Sequence, residues 1–150
     1  MVQINILGGK NEIGGNKILV EHEGTRILLD FGMSFNQNSK YCSEFLQPRK
    51  CSALTDFFEL DLLPDIKGIY RTDYIEHMGR PKEEKEIDAV LLTHAHADHA
   101  QYVHFLRRDI PIYCTIETKI ILQCLEETGS NTFSEYIKVH VQRPSAVNLI

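Results

Sequence analysis

One octapeptide limits this chain more than any other feature: Thr-His-Ala-His-Ala-Asp-His-Ala at 93–100. It follows directly on IDAVLLT (87–93), a near-continuous apolar run of the kind expected for a strand covered on both faces. His94 and His96 are two apart, so in an extended segment their imidazoles share a face and can converge on one ion. Asp98 and His99 follow where the chain turns into a helix, and can face a second point a few ångströms away. Two adjacent donor pairs suit a two-metal centre, with ions roughly 3.5–4 Å apart. Imidazole plus carboxylate is a ligand set that zinc accepts in hydrolytic sites. The C-terminal edge of a parallel strand is also where α/β folds place their sites. The remaining histidines read as structural or solvated: His22 in a polar hairpin, His77 beside a loop glycine, His104 on the helix after the cluster, and His140 in a strand.

The rest of the chain supplies a frame for that strand and helix. VQINIL (2–7) reads as a strand and GGKNEIGGN (8–16) as a glycine-rich loop. KILVEHE (17–23) and TRILLDF (25–31) read as a hairpin turning at Gly24. Between 33 and 86 the pattern is weak. SFNQNSKYCS reads as loop, SALTDFFELDLL as a short amphipathic helix stopping at Pro64, and RPKEEKE (80–86) as a solvated charged connection. Beyond the cluster, 99–108 reads as helix and IPIYCT (110–115) as strand. IETKIILQCLEETG reads as a helix with Ile116, Ile120, Ile121, Cys124 and Leu125 on one face and Gly129 as its cap. A further strand is expected at 136–142. Antiparallel strands followed by strand–helix–strand–helix give an α/β layered domain with a mixed sheet and flanking helices.

Composition narrows the function classes. With 43% hydrophobic and 25% charged residues, 150 residues suit one globular domain. A net charge of −5 gives no bulk attraction to nucleic acid, although a bound divalent metal inverts the local field. No apolar run approaches the roughly 20 residues of a membrane span, so no membrane partner is expected. No secretory segment opens the chain, and four cysteines without a C-x-x-C pair read as reduced thiols of a cytoplasmic protein, Cys114 and Cys124 buried.

THAHADH resembles the H-x-H-x-D-H signature of the metallo-β-lactamase superfamily. ILGGKNEIGGNKILVEHEGTRILLDFGMSF resembles the amino-terminal block of its β-CASP, ribonuclease J-like nuclease branch, through Gly8, Gly9, Glu12, Ile13, Gly14 and Asn16, then Asp30, Phe31 and Gly32. IPIYCT also matches that branch's next strand. The resemblance implies a metallo-β-lactamase-like αββα sandwich and a metal-dependent phosphodiesterase or ribonuclease with RNA as substrate. It assigns His94 and His96 to a first zinc, and Asp98 and His99 to a second. Asp98 would also orient the attacking water, and Asp30 would support the site from behind its ligands. Glu12 is more simply a loop anchor than a substrate contact.

The family's site also needs a third-motif histidine and a bridging aspartate. His140 lies in KVHVQRP, without the expected small-residue context, and the last aspartate is Asp109. Residues 1–150 are therefore expected to form the N-terminal portion of such a domain, a fragment or one component of a split enzyme. An open half would expose a sheet face, to be covered by the missing half in cis or in trans, or by a homo-oligomer. Two other functions stay open: hydrolysis of a small ester, thioester or lactone, and metal binding without catalysis.

Overall fold

The computed structural model describes residues 1–43 and 46–128. Its centre is a five-stranded sheet in the order β1 (Val2–Gly8), β2 (Lys17–His22), β3 (Thr25–Leu29), β4 (Ala89–Leu91), β5 (Ile112–Tyr113). β1, β2 and β3 run antiparallel, while β3–β4 and β4–β5 are parallel, so the expected mixed sheet is present. Among the described residues five α-helices flank it: α1 (Phe35–Tyr41), α2 (Thr55–Glu59), α3 (Thr72–His77), α4 (Ala97–Ala100) and α5 (Ile116–Thr128). The β2–β3 hairpin turns on Glu23 and Gly24, both at positive φ (47° and 83°), the twist that two-residue hairpin loops require.

The two faces of the sheet have opposite fates. Leu19, Leu28 and Val90, alternate residues of β2, β3 and β4, are 4%, 1% and 0% exposed. They pack into a core with Phe31, Leu54, Phe57, Ile69, Tyr70, Ile75, Phe105 and Leu106. Each side chain of this size adds about 1.5–3 kcal/mol on full burial. Phe57 anchors the cluster, with ring centroids 4.7 Å from Phe105 and 5.7 Å from Tyr102. The other face carries Ile4–Val20–Ile27–Ala89 and Ile6–Ile18–Leu29–Leu91 in register. None of these eight is fully buried among the described residues, and Ile4 and Ile6 are exposed.

Several local expectations are corrected. SFNQNSKYCS contains α1, whose N-terminus Ser34 caps by accepting from Gln37 N at 3.0 Å. The segment 52–63 forms only α2. Asp61 stands at φ 52°, so helix stops before Pro64 is reached. Residues 99–108 are not one helix, because α4 ends at Ala100 and a separate 3-10 turn spans Val103–Phe105. α3 was not anticipated. Within 80–86, Arg80 pairs with Asp65 and Glu83, Glu83 accepts from Gly68 N at 2.6 Å, and Glu86 pairs with Arg26. Those ties clamp the run at Arg80, Glu83 and Glu86, while Pro81, Lys82, Glu84, Lys85 and Glu86 are exposed, as expected of a solvated connection. The apolar side of α5 faces outward, with Ile116, Ile120, Ile121 and Leu125 each about half exposed. Cys114 and Cys124 are exposed, not buried, and all four cysteines are free. Gly129, His140 and the strand expected at 136–142 lie outside the described residues.

Candidate metal centre

The site begins where β3 ends. Asp30 leaves the strand with φ 55°, an uncommon backbone for a non-glycine residue. The turn aims its carboxylate, 7% exposed, across the end of β4. There it accepts from Thr93 N at 2.8 Å and lies 2.9 Å from the Thr93 hydroxyl and 2.7 Å from His99 Nδ1. Strain of this kind persists only where surrounding contacts over-determine it, and it clusters at functional sites.

Three backbone segments are zipped together beneath the cluster. Phe31 N donates to His99 O at 2.8 Å and Met33 N to Ala97 O at 3.0 Å. Gly32 N donates to Asn16 O, while Asn16 N donates to Asp98 O at 3.2 Å and Gly15 N to Met33 O at 2.8 Å. The glycines make this approach feasible. A Cβ on Gly32 would stand 1.7 Å from Asp98 O, and one on Gly14, at φ 85°, would stand 2.8 Å from Asp98 Cβ. Glu12 secures the loop from the far side, its carboxylate accepting from the Ser34 hydroxyl at 2.5 Å and Gly9 N at 3.4 Å. Its observed contacts are those of an anchor.

On this platform the four expected ligands stand together. His94 Nε2 lies 3.0 Å from His96 Nδ1, and His99 Nε2 lies 3.4 Å from Asp98 Oδ2. The His94 and His99 rings are 4.0 Å apart between centroids. Ligands about 2.0–2.1 Å from a tetrahedral zinc are separated by about 3.3 Å, so each pair has nearly the edge that one ion would span. Each pair supplies two donors. Among the described residues, no group of three His, Cys, Asp or Glu side chains is arranged to hold an ion by itself. His96 is exposed and the other three are partly exposed, so the donors are open to solvent.

Two residues without a sequence-assigned role belong to this constellation. The Thr93 hydroxyl lies 2.9 Å from both Asp30 Oδ2 and His94 Nδ1, linking the buried carboxylate to a second imidazole. Asn16 Nδ2 lies 3.1 Å from His99 Nε2. The signal for Thr93 was a short hydroxyl residue immediately before the first histidine; for Asn16 it was an amide closing a glycine loop. The other described histidines lie apart: His104 is 2% exposed in the core, His77 hydrogen-bonds Cys51 O, and His22 is on the exposed hairpin. Beneath the loop, Lys17 is 3% exposed, and burial lowers its ammonium pKa to about 8 against an opposing pull from Glu12. It lines a cavity of about 350 Å³ with Glu12, Ser34, Gln37 and Asp61.

Comparison with known proteins gives a consistent set of relatives. Residues 60–143 match the family model described as a beta-lactamase superfamily domain. Ribonuclease J of Helicobacter pylori is 28% identical over 145 residues, covering 95% of this chain and 17% of that protein. Ribonuclease J of Pyrococcus abyssi is 30% identical over 118 residues, covering 77% and 23%. The transcription termination factor FttA of Methanocaldococcus jannaschii is 26% identical over 129 residues, covering 84% and 15%. The chain thus spans less than a quarter of the length of these curated relatives. A crystal structure of a protein of unknown function from Enterococcus faecalis superposes with a TM-score of 0.65 at 29% identity, over 85% of this chain and 28% of that one.

Proposed function

Because this chain belongs to the beta-lactamase superfamily, we propose that it carries the first ligand set of a metal-dependent hydrolase, a β-CASP-type ribonuclease built on a dinuclear zinc centre. The observation that carries the reading is the pairing itself. His94 with His96 and Asp98 with His99 form two adjacent donor pairs at the end of β4, backed by a buried carboxylate. The names and identities of the relatives favour RNA over a small ester, thioester or lactone.

Zinc bound at such a site supplies a Lewis acid and a water whose pKa falls towards ~7. The chain's own groups do the rest. Asp30 accepts the Nδ1 proton of His99 and leaves Nε2 as the donor, an arrangement that fixes ring orientation and raises ligand basicity. Thr93 connects the same carboxylate to His94. Asp98 would orient the attacking water, and Asp30, 7% exposed, would serve as its buried support.

Residues 1–150 are the N-terminal portion of the αββα domain in this reading. The uncovered sheet face, with Ile4, Ile6, Ile18, Val20, Ile27 and Leu29, supports a covering layer supplied in cis, in trans or by another copy. The same partner would bring the remaining ligands. No described helix is long and apolar enough to cross a membrane, and the free cysteines support a cytoplasmic place.

The test is cleavage of end-labelled single-stranded RNA by zinc-loaded protein expressed from its full reading frame. Cleavage is expected, and His96→Ala should abolish it while the fold survives. Intact RNA alongside turnover of a thioester or lactone would overturn the nuclease assignment. Full activity in His96→Ala would overturn the site.

A further inference from the structure

The cavity beneath the glycine loop contains a charged group with few partners. Lys17 is 3% exposed, and its Nζ donates one hydrogen bond, to Gly15 O at 3.3 Å. An ammonium has three N–H donors. The rings of Phe31 and Tyr102 stand over it, with centroids 5.7 and 5.5 Å from Nζ. Glu12 pulls against the burial of this charge, but its carboxylate already accepts from the Ser34 hydroxyl and Gly9 N. Two donors of Lys17 are thus left for an acceptor that the described chain does not supply.

The cavity beside them has the make-up of a ligand site. Its volume, about 350 Å³, falls in the range of small-molecule pockets. Leu7, Leu62 and Pro64 give it apolar walls that suit a ring face, and Asp61 adds a second carboxylate. One ammonium among two carboxylates makes a small anion a poor occupant. The better fit is an uncharged ring with two acceptors on one edge and N–H donors on another. Guanine has this pattern, with N7 and O6 side by side as acceptors. Adenine turns an amino group towards the ammonium in place of O6, and cytosine also presents an amino donor. The cavity neighbours the donor cluster as well. Gly15 lines it, while a Cβ on the adjacent Gly14 would stand 2.8 Å from Asp98 Cβ. Single-stranded RNA can turn an unstacked base into a pocket of this kind.

We propose that this cavity is a nucleobase subsite that takes a guanine of the RNA, its O6 and N7 accepting from Lys17 and its N–H edge facing Asp61. The assignment of the guanine to a substrate strand rests on the proposed ribonuclease reading. The recognition of the base does not, and can be measured without metal or turnover.

The experiment is equilibrium dialysis of labelled nucleosides against protein expressed from its full reading frame, in chelator-containing buffer. Nucleosides lack phosphate and the buffer lacks free metal, so the donor cluster takes no part. Guanosine should bind about tenfold more tightly than adenosine or cytidine. 7-Deazaguanosine, with C–H in place of the N7 acceptor, should lose about tenfold against guanosine, a change that leaves the protein untouched. Lys17→Met keeps an unbranched side chain and removes the donors, and should bring guanosine and adenosine within about threefold of each other. Equal affinity for the nucleosides, 7-deazaguanosine as tight as guanosine, or no binding at all would overturn the subsite and leave the hydrolase reading standing. Guanosine selectivity in a protein that leaves RNA uncut would keep the base site and remove the hydrolase reading.

Discussion

Gly32→Ala should damage this protein more than an ordinary loop substitution, and the reason is space rather than backbone freedom. A Cβ there would stand 1.7 Å from Asp98 O, 2.0 Å from Asp98 C and 2.4 Å from His99 N, whereas real Cβ contacts stay beyond 3.0 Å. All three obstacles are backbone, so no side chain can swing away. The segments 30–33 and 97–99 must part by more than an ångström. That displacement breaks or lengthens Phe31 N–His99 O, Gly32 N–Asn16 O and Asn16 N–Asp98 O. At about 1 kcal/mol each, the loss is about 3 kcal/mol, which lowers Tm by roughly 6–12 °C in a chain of this size. The assay is reversible thermal unfolding followed by circular dichroism. Zinc affinity measured beside it should fall too, because the shifted segment carries Asp98 and His99. A Tm within about 2 °C of wild type would refute the reasoning, since the close approach would then not be a structural requirement.

Other outcomes follow from the same contacts. Asp30→Asn keeps the shape but replaces the acceptor facing His99 and Thr93, and should weaken zinc binding about 10–100-fold by competition titration; a change below threefold would remove Asp30 from the site. Phe57→Ala, in the aromatic core with Tyr102 and Phe105, should cost about 3–5 kcal/mol in urea unfolding without altering the donors. Lys17 has a folded pKa near 8 against 10.5 for the free group, so the unfolded chain binds more protons between those values. Stability should rise with pH across that window, by an amount on the order of 3 kcal/mol at most. Lys17→Met should remove that dependence and be relatively more stable at pH 7.5 than at pH 10; equal slopes for the two proteins would contradict the burial of the ammonium.

Much of this architecture was legible where local pattern and tertiary role coincide. The hairpin shows because Glu23-Gly24 can take positive φ between two apolar runs. The β4 strand shows because IDAVLLT is a continuous apolar stretch, although Val90 is buried and Ala89 and Leu91, on the other face, are only partly so, rather than the strand being covered on both faces. The cluster shows because His94, His96, Asp98 and His99 sit within one turn of chain. The misses have equally physical causes. α1 buries none of its residues, so no hydrophobic stripe marks it, and only Ser34, a good N-cap, announces it. α4 is four residues long because Ala100 ends a turn zipped to β3's exit, where the pattern of 99–108 suggests a continuous helix. The stripe on α5 and the exposures of Cys114 and Cys124 were misread for a shared reason: apolar periodicity tells which side of an element is apolar, not whether anything covers it. Asn16 and Thr93 act through partners 83 and 63 residues distant in sequence, a relation that spacing along the chain does not encode.

Whether the two donor pairs at the end of β4 hold metal is decided by anomalous diffraction at the zinc edge from crystals of the zinc-loaded protein. Two peaks are expected, one about 2.0–2.1 Å from nitrogens of His94 and His96, the other at a similar distance from His99 Nε2 and an Asp98 oxygen. Zinc bound elsewhere, with His94, His96, Asp98 and His99 free of any peak, would contradict the assignment.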